Sequence, residues 1–462
     1  IHLGSGYLAA CLKQAGHDTA FLHLVEPISR ECFLEWLNSR DAGLVAFSST
    51  SLMFPKVRQM ARWAKEETGL PVVAGGVHPT LDPFGSLEEE SIDFVCVGEG
   101  EAVLVELAEA LEGRGEVDEV TSLMGRWRGR DFANPVRPLL EDLDLLPFPD
   151  RSIFDMERMA PDQAERISIM ASRGCPYRCR YCSNHAQRST YPNAARYVRF
   201  RSVDNVLTEV EGLAEHAEGV DHVRFDDDIL TLDPDWFRDL VSRYRDEVDL
   251  PFICNSRVNV LDEETVRLFA EAGCSVICMG IESGNEVIRK RVLGRHMSND
   301  DIVRAFRLCR EHGIKTVSPN MTALPDEDLP ALLDSIRINA RCRPHCMQVS
   351  TYHPYPNTRL YEYCEEKGYL SGRHVDTIFD GRSALDIPAF RAPAYGFAKE
   401  KFNPLTELYS RLFEAGAAGE AMSKALDALI ETERLPWSWR RPLLERLVGW
   451  ADRRSRFEWI YY

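Results

Sequence analysis

The chain has 462 residues, with 55 Lys and Arg against 73 Asp and Glu, a net charge of −18. That size predicts two or three domains, and the acidic balance excludes a nucleic-acid backbone as the main partner, though not a local basic patch. No apolar run approaches the ~18 residues of a membrane span. The 13 cysteines are odd in number and scattered apart from one cluster, which suits reduced thiols in the cytoplasm better than a disulfide framework.

No secretory signal is visible, and the chain begins at Ile1 without a methionine, so an upstream piece is expected. Gly6 to Ala15 reads as a helix, Asp18 to Val25 as a strand and Arg30 to Asn38 as a helix. Gly43 to Phe47 is an apolar strand ending in the run Ser48, Ser49, Thr50, Ser51, and a helix follows over Pro55 to Glu67. Strands at Pro71 to Gly76 and Ile92 to Val97 precede a helix over Glu99 to Leu111. This alternation predicts a parallel sheet covered on both faces by helices. Ligands bind such sheets beyond the carboxyl ends of the strands. Small residues recur there: the Ser48 to Ser51 run, Gly75 with Gly76, and Gly98 to Gly100. Glycines serve turn geometry in any case, and the hydroxyl run equally suits a helix cap. Residues 113–165 are less regular, and LLPFPDR (145–151) reads as a proline-bearing strap.

A strand at Ile167 to Ala171 leads into SRGCPYRCRYCSN (172–184). Cys175, Cys179 and Cys182 stand in a CxxxCxxC spacing. Three thiolates on one loop can hold three corners of a cubane iron–sulfur cluster. The fourth iron then stays open for a substrate or cofactor, as open metal positions do elsewhere. A zinc site with His185 as fourth ligand is the alternative. Gly174 and Pro176 suit a tight loop.

Strand–helix units continue. His222 to Phe225 is a strand ending in Asp226, Asp227 and Asp228; Phe252 to Arg257 is another, with a helix over Asp262 to Ala272. Val276 to Gly280 ends in Ile281, Glu282, Ser283 and Gly284; a helix over Asp300 to His312 and a strand over Lys315 to Thr322 follow. Repeated units predict a partial (βα) barrel with catalytic residues at the strand ends. Three carboxylates are too many to bury unpaired, so the aspartates either cap a solvated loop or meet a cation. Glu282 can accept from both hydroxyls of a vicinal diol, or pair with Arg257 or Arg289. Cys342, Cys346 and Cys364 form a looser thiol set without a compact fourth ligand. In the tail, Lys401 to Ala415 and Ala421 to Thr432 are helical, and Trp437, Trp439, Trp450, Trp459, Tyr461 and Tyr462 make the end aromatic. Leu443, Leu447 and Trp450 share a helical face near Arg446, Arg453 and Arg454. It suits either a membrane interface or, as expected here, docking on the protein body.

The cysteine loop, with Tyr181 as the aromatic beside the cluster, resembles that of the radical S-adenosylmethionine (SAM) superfamily. LGSGYLAA (3–10), GGVHPT (75–80) and VGEGE (97–101), in that order ahead of the loop, resemble the cobalamin-binding domain of one radical SAM subfamily. The resemblance covers residues 1 to about 370. It departs at the start, where the usual first strand is absent, and at ALPDED (323–328), which stands for the family's Gly-Leu-Pro-Gly-Glu-Thr. HPYPNT (353–358) resembles the family's Pro-Phe-Pro-Gly-Thr loop near the active site.

The resemblance implies an α/β protein. A Rossmann-like, parallel-sheet cobalamin-binding domain is expected over residues 1–135 and a linker over 136–165. A partial (βα)6 TIM-type barrel then fills 166–370, and a helical domain over 371–462 caps the substrate. It implies a 4Fe-4S cluster on Cys175, Cys179 and Cys182, and SAM near Asp227, Asp228, Arg257, Glu282, Ser283 and Arg295. Asp227 or Asp228 accepts from the SAM ammonium, Glu282 holds the ribose hydroxyls, and Arg295 pairs with the carboxylate. Cobalamin lies against Ser48, Ser49, Thr50, Ser51, Gly75, Gly76, Val77, His78, Gly98 and Glu99. No DxHxxG motif occurs, so base-off cobalamin without a histidine ligand is expected, with His78 as a pocket-wall residue and Met53 in the loop covering the lower face. The implied activity is C-methylation of an unactivated carbon through a 5′-deoxyadenosyl radical and methylcobalamin. Cobalamin-dependent cyclisation, ring rearrangement or oxidation is the same-family alternative, and a non-catalytic cobalamin or metal sensor the alternative of another class. Expected partners are a small molecule (natural-product intermediate, lipid or tetrapyrrole) and an external electron donor such as flavodoxin or ferredoxin.

Overall fold

A computed structural model of the chain describes residues 2–24, 26–158, 166–215 and 220–452. The chain forms two compact units, residues 1–221 with 355–362, and 222–354 with 363–462.

In the first unit, β1 (Val45–Ser48), β2 (Val72–Gly75) and β3 (Phe94–Cys96) run parallel. Side chains alternate along β2. Val73 packs with Phe94, Val103 and Leu107 on one face, and Val72 and Ala74 with Phe54, Val57 and Ala61 on the other. Both faces are covered, so the strand reads as a continuous apolar run. Helix Phe54–Thr68 begins with Pro55 in its first turn and stops at Gly69, left-handed at φ 65°, as helix ends favour.

Two expectations are corrected here. Residues 18–24 form no strand, and Val25 lies outside the described residues. A strand exists only with a ladder partner, and β1 is the edge of this sheet. The stretch read as irregular contains an antiparallel hairpin, β4 (Leu123–Trp127) and β5 (Arg130–Ala133), extending the sheet beyond β3. Its turn places Arg128 and Gly129 at φ 49° and 81°, the two positive values a two-residue hairpin turn favours.

Strands β6 (Arg166–Ile169) and β7 (Ser172–Arg173) lead into the cysteine loop. Strand β8 (Arg199–Phe200) pairs antiparallel with β7 and sets Arg199 opposite Arg173.

The second unit contains β9 (His222–Phe225), β10 (Phe252–Ser256), β11 (Cys274–Met279), β12 (Lys315–Thr322) and β13 (Cys346–Thr351). Each is parallel to the next in chain order, the run of a partial barrel. Amphipathic helices connect them, among them Asn299–Glu311, which opens with a capping box of Ser298 and Asp301. Tail helices Pro393–Glu400, Phe402–Glu414, Gly416–Glu431 and Trp437–Asp452 share a core with Leu332, Leu333 and Ile336. The last helix docks through Leu444, Val448 and Ala451. The expected stripe Leu443, Leu447 and Trp450 is exposed instead, because one position along a helix turns the face by about 100°. Arg453, Arg454, Trp459, Tyr461 and Tyr462 lie outside the described residues.

Candidate functional site

Three strand ends of the first unit meet at one edge. Ser48 pairs in register with Gly75. The Ser49 N–H donates to the Gly75 carbonyl and the His78 N–H to the Ser49 carbonyl, each at 3.0 Å. Gly76 has φ 91°, and a Cβ there would press on Ser48 Oγ and the Ser49 backbone at 2.8–3.0 Å. Glycine is therefore required for the two loops to touch, whatever they bind. Val77 opens helix Val77–Leu81. His78 is buried, with Nδ1 3.0 Å from Ser51 Oγ and its ring 4.1 Å from that of Phe54. Burial lowers its pKa to about 4, so the ring is neutral at pH 7.

Ser48 and Thr50 are exposed, and Met53 is 43% exposed at the loop tip. The Ser49 hydroxyl is buried without a hydrogen-bond partner among the described residues. An orphaned hydroxyl at a strand-end cradle is a group that a ligand can satisfy, so this edge fits a polar nucleotide tail.

Gly98 sits at φ 95°, its N–H donates to Thr80 Oγ1 at 2.9 Å, and a Cβ there would strike the Tyr191 ring. Glu99 does not stand alone at the sheet edge. It accepts from Arg173 at 3.1 Å and from Arg199 at 2.7 and 3.0 Å. Arg173 also reaches Glu101 at 2.6 Å and stacks over Tyr7. Burial alone would raise the Glu99 pKa, but the Arg199 hydrogen bonds and the Arg173 charge hold it below the ordinary carboxylate value. Two arginines opposite each other in a ladder repel; Glu99 removes that repulsion and ties the front sheet to the strand entering the cysteine loop.

In that loop Cys179 is buried and Cys175 and Cys182 are half-buried, with Tyr181 half-buried between the last two thiols. None of the cysteines is disulfide-bonded among the described residues. Burial, then the charges of Arg359 and Arg178, lower the His185 pKa. Among the described residues no three Cys, His, Asp or Glu side chains gather as ligands of one metal ion. The three thiols fit a cluster, which spreads its cysteines over separate irons.

The segment 355–362 clasps this loop. The Leu360 N–H donates to the Arg180 carbonyl at 3.0 Å. Asn357 Nδ2 donates to the Leu81 carbonyl. Burial and the neighbouring Cys182 raise the Tyr355 pKa. Tyr355 and Asn357 lie in the HPYPNT motif, expected near the active site, whereas sequence reasoning had not singled out Arg173 or Arg199. An arginine placed two residues before the first cysteine was the one visible signal.

The second unit carries the acidic strand ends. Asp226 pairs with Arg224 at 2.6 Å, Asp227 is buried, and Asp228 is exposed. The Asp227 carbonyl accepts from Asn255 Nδ2 at 2.9 Å. Glu282 follows β11 at φ 65°, a region uncommon for glutamate. Its backbone is held there by the Pro319 carbonyl at 3.1 Å and the Met321 N–H at 2.9 Å. A Cβ on Gly280 would collide with the Glu282 carboxylate, so that glycine leaves room for the side chain. Arg295 stands 3.7 Å from Glu282 as an ionic partner and donates to the Gly280 carbonyl at 2.6 Å. Arg257 is buried and donates to Asn259 at 3.0 Å. Arg289, fully buried, donates to the Ser283 carbonyl at 2.6 Å, to Met297 and to Asn299. It clamps the loop that presents Glu282 and Ser283, a role the sequence did not reveal. Cys342, Cys346 and Cys364 are buried. Burial pushes the Cys364 thiol up to about 12 and raises Cys342, which marks them as core thiols.

Residues 169–337 match the Radical SAM superfamily, and residues 1–108 match the B12 binding domain. An uncharacterized methyltransferase of Pyrococcus horikoshii is 27% identical over 365 residues, covering 78% of each chain. The hopanoid C-3 methylase of Methylococcus capsulatus is 28% identical over 437 residues, 91% of this chain and 78% of its own. The structure of the radical SAM methyltransferase TsrM from Kitasatospora setae, with tryptophan and a SAM analogue bound, superposes with a TM-score of 0.64 at 21% identity. It covers 80% of this chain and 74% of that one. No helix among the described residues is long and apolar enough to cross a membrane. With a B12-binding domain ahead of the thiol loop, the chain belongs to the cobalamin-dependent radical SAM enzymes, in the family that contains these methyltransferases.

Proposed function

We propose that the enzyme methylates an unactivated carbon of an apolar, lipid-type small molecule. One observation carries the reading. Helix Val77–Leu81, which holds His78, packs on helix Ser183–Arg188, which starts directly after Cys182. The hydroxyl-lined cradle and the thiol loop therefore share a wall within the first unit. When bound, the cluster with SAM supplies a hydrogen-abstracting radical, and cobalamin supplies the methyl group.

The chain's own residues hold and orient. Cys175, Cys179 and Cys182 ligate the cluster, with Tyr181 beside it. Ser48, Ser49, Thr50, Gly75, Gly76, Val77 and Gly98 cradle the nucleotide tail of base-off cobalamin. His78 stays engaged with Ser51, and Met53 covers the lower face. Glu99 acts through Arg173 and Arg199. Asp227 or Asp228 accepts from the SAM ammonium, Glu282 with Ser283 holds the ribose, and Arg295 meets the carboxylate beside Arg257. The domains divide at residues 135, 165 and 370.

The lipid class is supported by the match to hopanoid C-3 methylase, which covers 91% of this chain. A net charge of −18 disfavours nucleic acid. The reading includes a cytoplasmic location and an electron donor such as flavodoxin or ferredoxin.

The test is reduced, cobalamin-loaded protein given methyl-labelled SAM and polycyclic lipid candidates. The expected result is S-adenosylhomocysteine, 5′-deoxyadenosine and labelled product together. 5′-Deoxyadenosine and a changed substrate without label would instead establish oxidative or ring chemistry. Nitrogen hyperfine splitting in the cob(II)alamin spin-resonance spectrum would refute the absence of a histidine ligand.

A further inference from the structure

We propose that helix Trp437–Asp452 docks the protein on an anionic lipid surface, with Trp439, Leu443, Leu447 and Trp450 entering the boundary between headgroups and acyl chains. The helix has two apolar faces. Leu444, Val448 and Ala451 are buried in the tail core, with Trp437 packed against them. At about 100° per residue, Trp439, Leu443, Leu447 and Trp450 occupy an adjoining sector, and they are 73, 49, 37 and 42% exposed. No acidic residue falls in that sector. Glu445 lies beyond the buried face, while Arg446, exposed, borders the stripe on its outer side. At its end the Trp450 ring carries the Arg411 guanidinium at 5.4 Å. A helix packed on a globular core needs one apolar stripe; a second, exposed one marks an interaction surface.

Charge identifies the occupant. From Trp437 to Tyr462 the sequence holds six arginines, no lysine and three acidic residues, in a chain whose net charge is −18. Four of its eight tryptophans fall in the same stretch. Tryptophan prefers the headgroup level of a bilayer, arginine pairs bidentately with phosphate, and apolar faces flanked by cations describe interfacial helices. A second copy would set the same apolar stripe with its bordering Arg446 against itself, like charge facing like. An anionic leaflet supplies the complementary charge. This surface stands independently of methyl transfer, since it rests on the tail alone.

The test is flotation of the reconstituted holoenzyme with phosphatidylcholine vesicles, with and without phosphatidylglycerol. Wild type should float with the anionic vesicles and be released by salt. Trp439→Ser with Leu443→Ser should weaken binding at least about tenfold, as each apolar side chain withdrawn from water is worth about a decade. Arg446→Glu should weaken binding to anionic vesicles by about tenfold or more and leave neutral vesicles unaffected. All three positions are exposed, so iron and cobalamin content should match wild type. The proposal is overturned if wild type stays out of the vesicle layer, or if the double variant floats as well as wild type. It is equally overturned if the stripe instead supports a concentration-dependent dimer without vesicles that the double variant abolishes.

Discussion

Glu99→Gln removes one negative charge from between two arginines and leaves the shape unchanged. Glu99 accepts three hydrogen bonds, two of them from Arg199. The Arg199 side chain is 5% exposed, and its remaining hydrogen bond goes to the Leu140 carbonyl at 2.7 Å. Arg173 keeps Glu101. The substitution therefore strands the Arg199 charge, next to the like charge that β7 and β8 set opposite it. Breaking a buried pair from one side costs about 3–5 kcal/mol; glutamine still accepts one bond, so about 3 kcal/mol is expected. For a unit of this size that lowers Tm by about 10 °C. The assay is thermal unfolding of reconstituted protein for Glu99→Gln, Arg199→Met and the pair. The double variant should recover most of the loss, because no uncompensated charge remains. The pH dependence has a defined sign. The folded carboxyl lies below its ordinary value, so its contribution is present above about pH 4.3 and is lost as the pH falls through the folded pKa. Glu99→Gln should lack that acid-sensitive component. A single variant within about 1 kcal/mol of wild type, or a double variant showing simple additivity, would refute the strut.

His78, depressed to about 4 by burial, stays neutral when folded but takes a proton near pH 6.5 when unfolded. Stability should be complete above pH 6.5 and fall by about 2 kcal/mol between pH 6.5 and 5; denaturant unfolding of His78→Gln with the same slope would rule this out. Gly280→Ala drives a methyl group into the Glu282 carboxylate and should cost about 1–3 kcal/mol and weaken SAM binding at least about tenfold; unchanged SAM affinity in a titration would count against the ribose role. Cys179→Ala should abolish cluster iron while cobalamin remains bound, and a full iron complement by chemical assay would contradict the ligand assignment.

Much of the fold could be read locally. Helix Arg30–Asn38 and strands His222–Phe225 and Lys315–Thr322 lie where their patterns predict, because each has a clear period and strong flanking signals. Residues 18–24 have an extended pattern too, but a pattern carries no information about whether a neighbour supplies the ladder. The hairpin after Ser122 was missed because its turn is Arg128 with Gly129 rather than the asparagine–glycine pair that announces such turns.

Chemistry built from neighbours in the chain was legible before any fold: three thiols in eight residues, hydroxyls after one strand, a glutamate between glycines. Spacing alone decides which atoms a single loop can bring to one centre. Partners distant in sequence were another matter. Glu99 read as a cofactor residue, yet its oxygens meet Arg173 and Arg199; Glu282 also has Arg295 at 3.7 Å, an arginine the sequence reading had placed elsewhere. The tail stripe read as docked, yet the adjoining face is buried. Each depends on how elements pack, and packing is settled by the sum of many weak contacts, none of which is written in a local motif.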